Sequence, residues 1–257
     1  MKFKPILLVH GEPNSIFLEI YFKCLKYKTF KSPLILICSQ KILKYQMKKL
    51  NFKMDINLLN LSSLNKIRLN NNKINIIDID YNGKIVFQKI SSRSNKYIKN
   101  CFETSLKILK SQVTNKLING PISKKYFLNK KYLGITEYIS KKTKSKNQVM
   151  LIYNDRLSVS PVTTHLPLKY VAKNITKQKI INNIKKIKKF YYNFINKKPK
   201  IAILGLNPHC ETIDKFSEEQ KIIIPAIKYL KKINFKVEGP FSADTFFLKK
   251  NINKYDV

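Results

Sequence analysis

Short runs of Ile, Leu and Val alternate along this chain with longer segments whose apolar positions recur at helical spacing. P-I-L-L-V (5–9) predicts a buried strand ending in the turn G-E-P-N-S, and residues 16–27 predict a helix. S-P-L-I-L-I-C-S (32–39) reads as a second strand and residues 40–50 as a lysine-rich helix. A further strand is expected at 74–79, beside an Asn-rich stretch (60–75) that the pattern leaves open. Residues 97–113 carry apolar side chains at 98, 102, 106 and 109, the spacing of a helix, and lead into K-L-I-N-G-P-I-S-K, a strand closing in a Gly-Pro turn. V-M-L-I-Y (149–153) and L-S-V-S-P-V-T-T (157–164) predict a hairpin or strand pair around Asn154 and Asp155. Ile180, Ile181, Ile184, Ile187, Tyr191 and Phe194 mark an amphipathic helix over 176–196. A strand then begins at I-A-I-L (201–204). A helix over 218–232 follows, with Ser217 and Gln220 in a capping-box pattern, and then a strand at 236–238. Residues 254–257 read as the start of another strand.

Strands alternating with helices indicate an α/β fold with a largely parallel sheet. No internal repeat and no Pro/Gly/Ser-rich linker interrupts the 257 residues, which are read as one unit. Four well-separated cysteines form no C-x-x-C pair, and Cys24 and Cys38, in apolar contexts, are expected to be buried thiols. The five apolar residues before His10 are too few for a signal sequence, and no segment approaches a membrane span, so the chain reads as cytoplasmic.

The formal net charge of +36 changes the picture less than its size suggests. The cations are 48 Lys and three Arg (Arg68, Arg93, Arg156), spread along the chain, whereas nucleic-acid sites favour arginine. Abundant Lys, Asn, Ile, Tyr and Phe with scarce Ala and Gly follow AT-rich codons, so the lysines read as solvated faces, with neither nucleic acid nor membrane as partner.

In open α/β sheets ligands bind beyond the carboxyl ends of strands, and two histidines occupy such places. His165 follows V-S-P-V-T-T, ahead of an expected helix with Pro167 in its first turn, and His209 follows I-A-I-L-G-L-N-P. Each is either a metal ligand or a histidine bonded to a loop carbonyl. His10, beside a Gly-Glu-Pro turn, reads as structural. Asp244, in P-F-S-A-D-T-F-F, is a carboxylate that joins a metal shell, takes a proton, or simply caps a turn. Lys124, in N-G-P-I-S-K, is placed to hold a phosphate. Neither a G-x-G-x-x-G nor a P-loop pattern occurs.

Taken together, several segments resemble the 4-hydroxythreonine-4-phosphate dehydrogenase family. H-G-E-P-N-S-I-F-L-E-I is similar to that family's S-x-G-[DE]-P-A-G-I-G-P-E, N-G-P-I-S-K to [TA]-[GA]-P-[IV]-x-K, and G-I-T-E-Y to G-H-T-E-[FY]. T-T-H-L-P-L, G-L-N-P-H and I-I-P…G-P-F-S-A-D-T-F-F match in the same order. The resemblance implies an isocitrate/isopropylmalate dehydrogenase-like fold of two intertwined α/β lobes around a cleft, acting as a homodimer. It implies oxidation of 4-phosphooxy-L-threonine by NAD or NADP, followed by decarboxylation, on the route to pyridoxal phosphate. A divalent metal (zinc, magnesium or cobalt) held by three histidines would polarise the reacting hydroxyl. Carried over by motif, His165 and His209 are metal ligands, Thr136 contacts the substrate, and Asp244 and Lys124 are catalytic candidates.

The sequence departs from the family pattern in three places. The family's third metal histidine lies in a Y-H-D-Q motif after A-D-T-x-F, and this chain stops at Val257, so the C-terminal part of the fold is expected to be missing. Ile135 replaces the histidine of G-H-T-E, and N-S-I-F-L-E replaces the glycine-rich A-G-I-G-P-E. A non-catalytic or degraded relative is therefore the alternative reading.

Overall fold

A computed structural model describes residues 3–64, 67–83, 87–145, 148–210 and 217–257. The chain divides into two compact units, Met1–Thr143 and Lys144–Val257.

In the first unit β1 (Ile6–Val9), β2 (Leu34–Cys38), β3 (Ile56–Leu58), β4 (Ile74–Asp78) and β5 (Leu117–Asn119) form a sheet in the order β3-β4-β2-β1-β5, every pair parallel. Every residue of β2 is buried, because helices cover both faces of a central parallel strand; hence its unbroken apolar run. Strand order proceeds outward from β1 through β2 and β4, then returns to β5 on the other side of β1. That reversal is where a parallel sheet opens a crevice. Helices α1 (Phe17–Tyr27), α2 (Gln40–Lys49) and α3 (Asn95–Lys110) make the connections, and α4 (Ile135–Thr143) follows β5. Along α3, Ile98, Cys101, Phe102 and Leu106 point inward at helical spacing, and fully buried Phe102 packs against the rings of Phe127 and Tyr138.

β3 was not predicted: at the sheet edge two of its residues are partly buried and Leu58 is exposed, and Asn57 breaks the apolar signal while donating to Asn75 Oδ1 at 2.9 Å. Cys38 is buried as expected, but Cys24 is exposed, on the outward side of α1 from Leu18, Tyr21 and Phe22.

In the second unit β6 (Ile201–Leu204) and β7 (Val237–Phe241) pair in parallel. Residues 255–257 extend along the other side of β6. There the Asp256 N–H donates to Lys200 O and the Ala202 N–H to Val257 O, each at 2.8 Å. Helices α5 (Lys177–Phe190) and α6 (Ile224–Lys232) supply Ile180, Ile184, Ile187, Ala226, Ile227 and Leu230 to the core against Ile201 and Val237. Thr176 caps α5 by accepting the Lys179 N–H at 3.2 Å. The exposed positions of α5 are mostly lysines (Lys177, Lys185, Lys186, Lys189), and the helix contains no acidic residue. A short helix, α7 (Lys249–Ile252), follows β7.

Three expectations change here. The hairpin over 149–164 reduces to one antiparallel bridge, Ile152–Val159, because Pro161 has no N–H for the next backbone pair and the Ser160 hydroxyl donates to Met150 O at 2.7 Å instead. The helix after His165 becomes two 3-10 turns, Leu168–Tyr170 and Ala172–Asn174, with Leu168 88% exposed. Pro167 is extended there, and no apolar stripe holds a longer helix down. The helix over 218–232 opens as a wider π turn, Glu219–Ile223, before α6, since Pro225 has no N–H to continue the α pattern. Among the described residues no helix is long and apolar enough to cross a membrane.

Candidate functional site

In the first unit the loops after β1 and β5 lie back to back. The Gly120 N–H donates to Val9 O at 2.7 Å, and the Glu12 N–H to Pro121 O at 2.8 Å. Gly11 has φ +75°, and a Cβ there would lie 2.4 Å from Pro121 O, so glycine is required on both counts. Buried Glu12 fastens this corner, its Oε1 accepting the Asn14 N–H and the Ser94 hydroxyl at 3.1 and 3.0 Å. His10 is structural: it is fully buried, its Nδ1 2.8 Å from the Tyr97 hydroxyl, and burial lowers its pKa to about 3. Lys124 opens a π turn, Lys124–Leu128, capped by Ser123, and its side chain is exposed. Thr136 lies in the first turn of α4, half-buried, immediately after Ile135. A cavity of about 760 Å³ in this unit is lined by Asn14, Tyr81, Arg93, Ser94, Lys96 and Asn100 among others.

In the second unit β6 and β7 end side by side and carry G-L-N-P-H and S-A-D. The Gly205 N–H still donates across the sheet, to Phe241 O at 2.8 Å. Beyond it the strand pairing stops, and buried Glu219 takes over. Its Oε1 accepts the N–H groups of Leu206 and Asn207 at 2.7 and 2.9 Å, and its Oε2 accepts Asn207 Nδ2 at 2.8 Å. Burial raises the Glu219 pKa, but the hydrogen bonds from Asn207 and Leu206 outweigh it and hold the carboxyl below its ordinary value. The chain then turns sharply, with His209 and Cys210 both left-handed at φ 57° and 62°.

That turn sets His209 Nδ1 3.6 Å from Asp244 Oδ2. Asp244 also accepts the Ser242 hydroxyl, which, with the nearby His209 ring, holds its carboxyl below its ordinary value. Both side chains are more than half exposed, so the pair contributes little to stability. Two neighbouring parallel strands thus deliver an imidazole and an ionised carboxylate to one place, open to solvent and able to hold or move a proton. His165 lies in a bend, exposed, with φ 57°, and makes no hydrogen bond or ion pair among the described residues. Among those residues, no three His, Cys, Asp or Glu side chains come together as a metal-holding group. The described donor set therefore does not fit a complete three-ligand metal site.

The structure pairs His209 with Asp244, and it places Lys124 and Thr136 in the other unit. Sequence reasoning missed Glu219 and Ser242. The signal for Glu219 is a carboxylate just inside a helix start, beside the expected Ser217 cap; that cap is present, Ser217 Oγ accepting the Gln220 N–H at 3.2 Å.

A family model described as "Pyridoxal phosphate biosynthetic protein PdxA" matches residues 29–257. A 4-hydroxythreonine-4-phosphate dehydrogenase of Sulfurihydrogenibium sp. (strain YO3AOP1) is 34% identical over 242 residues, which is 92% of this chain and 74% of that protein. One from Wigglesworthia glossinidia brevipalpis is 28% identical over 265 residues, covering 99% and 77%. The crystal structure of 4-hydroxythreonine-4-phosphate dehydrogenase from Klebsiella pneumoniae shares the fold, with a TM-score of 0.82 at 21% identity, covering 98% of this chain and 79% of that one.

Proposed function

The chain belongs to the family of the pyridoxal phosphate biosynthetic protein PdxA, and from that premise we propose that it oxidises 4-phosphooxy-L-threonine with NAD or NADP. The observation that carries the proposal is the His209–Asp244 pair, set at the ends of adjacent parallel strands inside two of the family's motifs.

In this reading hydride passes from the carbon bearing the substrate's secondary hydroxyl to the nicotinamide, and the hydroxyl proton passes to the Asp244 carboxylate. Ser242 keeps Asp244 ionised and so ready to accept it. The resulting β-keto acid then loses carbon dioxide. Lys124 holds the substrate phosphate and Thr136 contacts the substrate. A divalent metal on His165 and His209 belongs to the same proposal through the family resemblance alone. No step above depends on it, because the described residues fall short of a full ligand set. The isocitrate dehydrogenase-like arrangement of the two units as lobes, the homodimer and a cytoplasmic location are parts of the proposal too.

A second reading, a relative without turnover, is favoured by one observation. The position of the family's substrate-binding histidine is Ile135, at the start of α4, and an isoleucine cannot make an imidazole's hydrogen bond. The test is reduced-cofactor formation from 4-phosphooxy-L-threonine, with NAD and NADP in turn, at saturating zinc, magnesium or cobalt. Turnover that falls at least about a hundredfold in Asp244→Asn supports the dehydrogenase. No turnover under any of these conditions supports the second reading.

A further inference from the structure

We infer that Glu219 is a positioning residue that fixes the His209 turn, an inference that rests on His209 serving the proposed reaction. Strand β6 ends at Leu204, and Gly205 makes the last backbone bond to β7, so the next two N–H groups, of Leu206 and Asn207, have no strand to pair with. Glu219, 1% exposed, reaches across from the start of the following helical segment and satisfies both with one oxygen. Its other oxygen, with Glu218 Oε2 at 3.0 Å, grips the Asn207 side-chain amide.

Asn207 passes the constraint onward. Its carbonyl accepts the Cys210 N–H at 3.1 Å, closing a tight loop that contains His209. Consecutive left-handed conformations at His209 and Cys210 are sparsely populated for non-glycine residues, and they persist where surrounding bonds over-determine them. The packing leaves no slack, because a Cβ on Gly205 would meet Cys210 Sγ at 2.6 Å and Glu219 Oε1 at 3.2 Å. Glu219 touches no reacting atom. It acts through the direction in which the turn points the imidazole, toward Asp244.

The test compares the full chain with Glu219→Ala, Glu219→Gln and Asp244→Asn by amide hydrogen exchange and by the NMR signals of the His209 ring. Glu219→Ala should speed exchange at Leu206 and Asn207 by at least about tenfold, leave Ile201 and Val237 protected, and shift or broaden the His209 ring signals. Glu219→Gln, which keeps an acceptor for the backbone donors but loses the charge, should rescue the exchange in part. Asp244→Asn should alter the ring signals and leave the exchange alone. Where the parent chain turns over, Glu219→Gln should lower kcat more than it raises KM. If Glu219→Ala does not fold, the Gln variant carries the test. The inference is overturned if the Gln variant leaves both amide exchange and the His209 ring unchanged. It is equally overturned if the loop amides loosen while the ring signals stay put. These readouts need no catalysis, so an inactive parent chain would count against the proposed function and not against Glu219.

Discussion

Replacing His10 with glutamine should flatten the pH dependence of stability on the mildly acidic side. The His10 ring is fully buried, with Nδ1 against the Tyr97 hydroxyl, whose oxygen also accepts the Ser39 N–H at 3.1 Å. Nε2 has no partner among the described residues. A second proton would place a charge in buried surroundings away from water, so burial lowers the pKa from 6.5 to about 3. The folded value lies below the unfolded one, so the folded state binds fewer protons. The stability this provides is complete above the unfolded value and is lost as pH falls from 6.5 toward 3. At about pH 5.5 an unfolded ring is roughly ten parts protonated to one neutral while the folded ring stays neutral, a loss of about 1.4 kcal/mol. The carboxyls held low, Glu219, Glu238 and Asp244, contribute stability that is lost only below their ordinary values of 4.5 and 3.8, which both lie below about pH 5.5. Exposed His165 and His209 are common to both proteins and cancel. Urea unfolding at about pH 8 and about pH 5.5 should therefore show the parent losing about 1.4 kcal/mol more than His10→Gln. Equal losses would show that His10 is not held neutral, and the burial argument would fall with it.

Thr176→Ala removes the cap of α5 and should cost about 1 kcal/mol in denaturant unfolding, with near-native far-UV dichroism. Gly11→Ala forces a Cβ against a carbonyl in a left-handed conformation and should cost about 1–3 kcal/mol, read as a lower Tm. A surface of solvated lysines, as opposed to a built polyanion site, predicts only weak DNA binding with no preference among sequences. A salt titration should abolish it at moderate ionic strength.

The parallel sheet was legible because burial on both faces demands unbroken apolar runs, as in Leu34–Cys38. Helices α3 and α5 were legible because one face alone is buried. Residues 255–257 were readable as strand-like, and they do run beside β6. The failures lie where individual hydrogen-bond donors and acceptors, which leave no apolar periodicity, decide the structure. Residues 149–164 stop at one bridge because Pro161 offers no N–H to Met150 O, which accepts the Ser160 hydroxyl instead. β3 pairs with β4 on backbone bonds that leave little apolar trace. At the site, motif spacing picked out His209 and Asp244. It could not reveal that Ser242 donates to one, or that Glu219 bonds the turn of the other, since a buried carboxylate reads like any surface acid until its donors are known.

The lysine face of α5 has a consequence for how the protein responds to its solvent. With no acidic residue on the helix, its outward cations repel one another, and what holds them together is the isoleucine face pressed into the core. Most proteins with paired surface charges lose a little stability as salt is added. Here the balance runs the other way, because added electrolyte shortens the reach of the repulsion to about 8 Å at physiological ionic strength and relieves it. The fold is therefore expected to gain stability as salt is added to dilute buffer, which urea unfolding at low and high ionic strength would read.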